Sequence, residues 1–317
     1  MGNHTPRKIK ITFPSKRPQS ARGSECLKIT NLKTLSGTLC EPLRINKNNM
    51  KKPSIYFLIF FFVAIYSDAQ EFVFEPNTIS VPEKTTHEIS FTQDGQTLYF
   101  TQTVDSKWQK SQLGFKSYFA DGVWGKPIKI EFVDSLYNMS VSPDGNRALF
   151  CKEDKTWLCL KEKGKWSIPK DLNSDYGYSF NGGYYHILND NSFYFSGVQE
   201  NELHPYDDIY YVAFRHGRYQ KPKRLNQNIN TEATEFSPWV NKRNSMMIFT
   251  RYDASSNENT GIFVSRFEDN KWQKAQKIDA LEYGWGVFVR EDKRTLYYSV
   301  GGAIYAYDLK SLDININ

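Results

Sequence analysis

Eight residues carry the chemistry this sequence could perform: His87 and Glu88, Asn138, Tyr184 and Tyr185, Glu232 and Glu235, and Trp285. Carboxylates beside aromatic side chains suit sugar recognition, because aromatic faces stack on sugar rings and carboxylates accept hydrogen bonds from hydroxyls. The plainer role for the same residues is structural, with rings supplying buried area and acids sitting in solvated loops. Glycoside hydrolysis asks for more, namely two carboxyl groups roughly 5 to 9.5 Å apart. Glu88 and Glu235 are the best-suited pair, and their separation depends on the fold.

Other chemistries find little support. The adjacent Asp-Gly pairs do not fit an Asp box of the form Ser-x-Asp-x-Gly, and there is no nucleophile elbow, phosphate loop or metal-ligand spacing. No cofactor and no metal are therefore expected. His204-Pro205-Tyr206-Asp207-Asp208, the one concentration of His and Asp, reads as a turn leading into a strand at Ile209-Tyr210-Tyr211. Cys151 and Cys159 are a possible disulfide pair, since a hairpin centred on Lys155 would set them opposite each other on adjacent strands. Two buried thiols packing as small hydrophobes is the equal alternative.

The formal charge of +6 does not signal nucleic-acid binding. Residues 1–49 hold ten Lys and Arg against two acids, leaving 31 basic and 33 acidic residues in 50–317. A folded part without a basic surplus has no electrostatic footprint for phosphate backbones. The asymmetry has a source at Met50-Lys51-Lys52, which is followed by twelve apolar residues, Ile55–Tyr66, and then Ser67-Asp68-Ala69-Gln70. That is the pattern of a secretory signal peptide over 50–69, cleaved before Gln70. Twelve helical residues reach about 18 Å, short of the roughly 30 Å hydrocarbon core, so no stable membrane span is expected after cleavage. Residues 1–49 then read as a disordered extension from a mis-assigned start, with translation beginning at Met50. No Cys follows the apolar run to carry a lipoprotein anchor.

What must position the candidate residues is a set of internal repeats. One pattern is an apolar strand, a tight turn and an aromatic strand, as in Ile89–Phe100 and Met139–Phe150. Weaker copies close at Phe195, Phe249 and Tyr298, at intervals of 50, 45, 54 and 49 residues. In Ser142-Pro143-Asp144-Gly145, Pro fixes φ and Gly accepts positive φ, so each copy is a β-hairpin. Asn244 replaces the Gly in the fourth copy, and Lys293 departs from the pattern in the fifth. The second pattern places a turn pair before Trp or Tyr, two residues, Pro, two residues and an aliphatic. It occurs at Trp124–Ile130, Trp166–Leu172, Tyr219–Leu225 and, with Ala275 for Pro, Trp272–Ile278. This predicts a second hairpin whose outer strand carries the Pro, which an edge strand tolerates.

Two hairpins make four strands, one propeller blade, and periods near 50 residues mark such arrays. With aromatic residues at 15% of the chain, the expected fold is an all-β, five-bladed propeller of four-stranded antiparallel blades, six blades being the alternative. It would form a single domain over 70–317. Only four outer strands are visible, so Val73–Ile79 is expected to supply the fifth beside the last blade, sealing the ring and removing an exposed edge. The eight candidate residues then precede the innermost strands, at the mouth of the central channel.

The hairpins containing Ser142-Pro143-Asp144-Gly145 and Gln93-Asp94-Gly95 resemble the WD-like propeller repeats of TolB-type exported bacterial proteins. The resemblance covers nearly all of the chain after the leader. It implies a periplasmic, secreted or surface-exposed propeller used as an interaction platform. The expectation is thus an exported, non-catalytic binding module for a protein or glycan ligand. A carbohydrate-active enzyme on the same scaffold is the alternative.

Overall fold

The computed structural model describes residues 72–103, 112–198 and 206–316. The leader at 50–69, the extension before it and His204 lie outside the described residues.

Five antiparallel sheets follow one another along the chain as the blades of a propeller. Their inner strands are Thr86–Phe91, Tyr137–Val141, Gly183–Ile187, Thr234–Val240 and Trp285–Arg290. Each inner strand lies beside those of its two neighbours, and the fifth lies beside the first, which closes the ring at five blades. No helix among the described residues exceeds the five residues of Leu172–Tyr176, and none is long and apolar enough to cross a membrane.

The aromatic second strands show why this sequence stacks sheets radially. Side chains alternate between the faces of a strand, and here both faces meet another blade. Leu98 and Phe100 enter the core between blades five and one, while Tyr99 enters the core between blades one and two. Likewise Phe193 and Phe195 face blade two, and Tyr194 faces blade four. Five apolar clusters result, one in each gap between blades. Strands covered on both faces read as continuous apolar runs such as Met246-Met247-Ile248-Phe249.

Turn chemistry sets the hairpins. Gly95, Gly145, Asn191 and Asn244 take positive φ at matching turn positions, and each donates its N–H three residues back. In blade five that position falls on Arg294 (φ +51) after a 3₁₀ turn at Glu291–Lys293, one residue beyond the Lys293 that the sequence singled out. The outer pairs Asp121-Gly122, Lys163-Gly164, His216-Gly217 and Asp269-Asn270 all have positive φ at both positions, the geometry that matches the twist of a two-residue hairpin.

The fourth strand differs from expectation in being broken. In blade one Val123–Trp124 pairs with Phe119–Ala120, the ladder lapses at Pro127, and Ile128–Lys129 rejoins the same strand at Phe115–Lys116. Proline has no N–H to continue the ladder. In the copy with Ala275 the available N–H is used, donating to Asn228 O at 3.2 Å.

Ring closure comes from Phe72–Val73, paired antiparallel with Tyr305–Ala306 of blade five, and from the Phe74 N–H donating to Ile304 O at 2.8 Å. The pairing ends there because the chain turns at Glu75 and Asn77, both at positive φ, rather than running on to Ile79. Phe74 then packs edge-on against Phe91, Trp124 and Tyr297. Ser299 Oγ donates to Thr86 O at 2.8 Å across the same seam.

Cys151 and Cys159 are free thiols, which corrects the possible disulfide. The hairpin turns on Glu153-Asp154 instead of Lys155, so Cys151 faces Thr156 and Cys159 faces Ala148. Ala148 and Cys151 are three positions apart and point to opposite faces. Cys159 belongs to the core between blades one and two, and Cys151 packs against the core between blades two and three. Cys151 occupies the place that Thr101, Ser196, Thr250 and Ser299 hold in the other blades, a small polar side chain after the aromatic.

Candidate functional site: the propeller axis

All five inner strands carry a bulge at the same register position. His87 faces Thr101 and Ser90 faces Tyr99, leaving two residues against one; the pattern recurs at Tyr137/Ser140, Gly183/His186, Phe236/Trp239 and Trp285/Phe288. The first residue of each bulge takes positive φ: Glu88 (+50), Asn138 (+48), Tyr184 (+55), Ser237 (+53) and Gly286 (+66). A left-handed non-glycine residue costs roughly 1–2 kcal/mol. Four of these five positions bear that strain, and strained backbone held by surrounding structure concentrates at functional places.

These five residues converge at one level of the axis. Gly286 N–H donates to Ser237 Oγ at 3.0 Å, and Ser237 Oγ lies 3.5 Å from Glu88 Oε1. A methyl group on Gly286 would fall 2.8 Å from Glu88 N and 3.0 Å from its carboxyl oxygen, so the missing side chain in blade five lets blades one and four touch. Asn138 Nδ2 lies over Gly183, in the place a side chain there would take. Tyr184 packs on Phe236 with ring centroids 5.1 Å apart. Burial pushes the Glu88 carboxyl up to about 8, and the Ser237 contact opposes that only in part. Glu88 is thus a protonated acid at neutral pH.

Beyond the bulges the inner strands enclose an axial cavity of about 300 Å³ that opens among the five first-hairpin turns. Its wall includes Phe91, Ser140, His186, Trp239 and Phe288, so every blade contributes. His186 lies 6.0 Å from Trp239 and 6.3 Å from Phe288 between ring centroids, and Phe91 lies 5.5 Å from Phe288. At the rim the Arg290 guanidinium sits 5.2 Å over the Phe91 ring and donates to Asp292 at 3.2 and 2.7 Å. Glu291 accepts the Lys242 N–H at 2.8 Å. Burial holds His186 down at about 4, and its Nε2 lies 2.8 Å from Val240 O.

The eight residues read from the sequence fall into three groups. Glu88, Asn138 and Tyr184 join the bulge level. His87, Tyr185 and Glu235 are taken up by the scaffold. His87 Nε2 pairs with Gln112 Oε1 at 3.1 Å, and burial lowers its ring to about 3. Tyr185 OH donates to Gly182 O at 2.8 Å within the core between blades two and three. Glu235 receives Arg251 Nε at 2.7 Å, Thr231 Oγ1 at 2.6 Å and the Thr231 N–H at 3.0 Å, a buried ion pair inside blade four. Glu232 is exposed and Trp285 half-buried, each where an inner strand begins. Asp208 of the His/Asp stretch forms a two-pronged pair with Arg224, at 2.6 and 2.9 Å. Among the described residues no group of three or more His, Cys, Asp or Glu could hold a metal ion.

Reading the strand starts alone missed Ser237 and Gly286 in the bulges, and Ser140, His186, Trp239 and Phe288 in the cavity wall. The available signal was alignment of the five repeats: these residues sit at fixed offsets before each turn.

No family model and no curated protein sequence matches the chain. Solved structures similar to it include one assigned to TolB of Agrobacterium tumefaciens (16% identity, 69% of this chain and 71% of that one, TM-score 0.46). TolB of Acinetobacter baumannii is similar at 15% identity, over 70% of this chain and about half (54%) of that one, with a TM-score of 0.38. The gluconolactonase XC5397 of Xanthomonas campestris is similar at 9% identity, over 76% and 90% of the two chains, with a TM-score of 0.45. Such likeness concerns the fold alone, which the five sheets already define.

Proposed function

We propose that this chain is an exported binding propeller whose ligand enters the axial cavity from the turn end, and that it performs no reaction there. The observation that carries this reading is the cavity itself. It is a concave site of about 300 Å³, at the small end of the range of ligand pockets, lined by aromatic side chains such as Phe91, Trp239 and Phe288 together with polar and charged groups among the turns. Export rests on the leader at 50–69.

A carbohydrate-active enzyme is the second reading, favoured by Glu88, a carboxyl kept protonated by burial and so suited to donate a proton. Two-carboxyl hydrolysis needs a partner, and Glu235 is committed to Arg251 and Thr231. The choice is tested by screening the full chain against a glycan array and incubating each retained glycan with the protein. Binding without products supports the first reading. Release of reducing ends that is lost in Glu88→Gln overturns it in favour of the second. Retained binding in Ser140→Trp, which fills the cavity, would overturn the assignment of the site.

A further inference from the structure

We infer that the axial cavity takes one neutral hydroxyl-bearing ring, the terminal sugar of a glycan, with the Ser140 hydroxyl and His186 Nδ1 setting which sugar is accepted. This deepens the proposed binding role and rests on it.

The residues two positions past each bulge show the division of labour. They are Ser90, Ser140, His186, Trp239 and Phe288, so blades one and two present hydroxyls where blades three to five present rings. Ser90 Oγ is already occupied, accepting the Val141 N–H at 3.1 Å. Ser140 lines the cavity, is 7% exposed, and its hydroxyl makes no hydrogen bond to any described residue. The hydroxyl is not sealed away from solvent, so its hydrogen-bonding capacity is open to whatever enters the cavity.

His186 supplies the complement. Val240 O can only accept, so Nε2 carries the ring proton and Nδ1 is left as a lone-pair acceptor. Burial keeps the ring neutral far below neutral pH. The cavity therefore offers a hydroxyl from blade two and, from the adjoining inner strand of blade three, an acceptor set beside aromatic faces. A pyranose has the matching form, with C–H groups on its faces and hydroxyls at its edge.

Charge and depth narrow the class. The rim carries Lys242 and Arg290 against Asp190, Glu291 and Asp292, with Arg290 paired to Asp292, so no one-sign field awaits a charged ligand. Past the cavity the axis narrows where Glu88, Ser237 and Gly286 meet. That geometry suits an end group entering a blind site rather than a chain threaded through the ring.

The test uses the full chain with glucose, galactose, mannose, N-acetylglucosamine and xylose as probes, in ligand-observed NMR with Ser140→Trp as the blocked control. At least one sugar is expected to bind wild type and be lost in Ser140→Trp. Ser140→Ala removes one hydrogen bond and should weaken it about tenfold with an unchanged melting temperature. A library of apolar and peptidic fragments is run beside the sugars. Fragments displaced by Ser140→Trp, with no sugar bound, overturn the inference and leave the binding site standing. Sugar affinity unchanged in Ser140→Ala also overturns it, and silence from sugars and fragments alike overturns the underlying reading.

Discussion

The Glu88 carboxyl and the Ser237 hydroxyl meet at 3.5 Å although their strands belong to blades one and four, because Gly286 stands between them without a side chain. The contact makes the axis a tightly fitted layer whose weakest tolerance is at the glycine. Gly286→Ala would add a methyl group 2.8 Å from Glu88 N in a backbone held at φ +66. Strain and overlap together should cost about 2–4 kcal/mol, read as a lowered urea midpoint. An unchanged midpoint would mean that the layer yields freely.

Glu88 gives that layer a pH signature. Unfolding releases the carboxyl to ionise near 4.5, whereas the folded protein keeps it protonated up to about 8. The folded state binds more protons between these values, so this group's contribution to stability is full below about 4.5 and falls as pH rises through 8. Glu88→Gln should therefore melt progressively higher than wild type as pH rises from 4.5 to 8, with the difference levelling beyond. His87 and His186, held near 3 and 4, act in the opposite sense, losing stability as pH falls below about 6.5. A pH-independent difference between Glu88→Gln and wild type would contradict the assignment.

Blade four depends on the pair that removed Glu235 from the axis. Glu235 is wholly buried and Arg251 nearly so. Arg251→Met leaves an uncompensated buried carboxylate, a loss of about 3–5 kcal/mol. Combining it with Glu235→Leu should recover much of that loss, since replacing both members of a buried pair by apolar groups is often near neutral. Thermal melts of the single and double variants decide it.

The seam is the third sensitive place. Phe74 joins the ring of Phe91, Trp124 and Tyr297 and follows directly on the closing strand. Phe74→Ala should cost about 3–5 kcal/mol and expose both Phe72–Val73 and the edge at Ala303–Asp308. Hydrogen exchange should then rise first along those two segments; uniform protection would place the loss elsewhere.

Cys151 and Cys159 should both react with iodoacetamide once the chain is unfolded without reductant, because their side chains lie on opposite faces of blade two. Mass spectrometry of the peptide spanning them reads this directly. A mass two hydrogens lower with no label would show the bond that the register forbids.

Much of the fold was legible because its rules are local. Pro143-Asp144-Gly145 and the paired turn residues dictate hairpins through φ alone, and the spacing of Phe100, Phe150, Phe195, Phe249 and Tyr298 counts the blades. The same local reading went astray where one residue of slip matters. Counting the turn of blade two from Lys155 instead of Glu153-Asp154 changed the face of a cysteine. Glu88, Asn138 and Tyr184 were found because they lie at strand starts; His186 and Trp239 were passed over because similar apolar patterns also describe core residues.

Five repeated hairpins, their two-sided apolar strands and a leading segment able to complete the last sheet follow from the amino-acid order, since torsional preference and strand periodicity act over a few residues. Which side chains share the axis was decided only by closing the ring. Glu88 reaches Ser237 across a sequence separation of 149 residues, and Glu235 turns to Arg251 across its own hairpin. Contacts of that kind depend on distances between blades and on desolvation, neither of which a linear pattern contains.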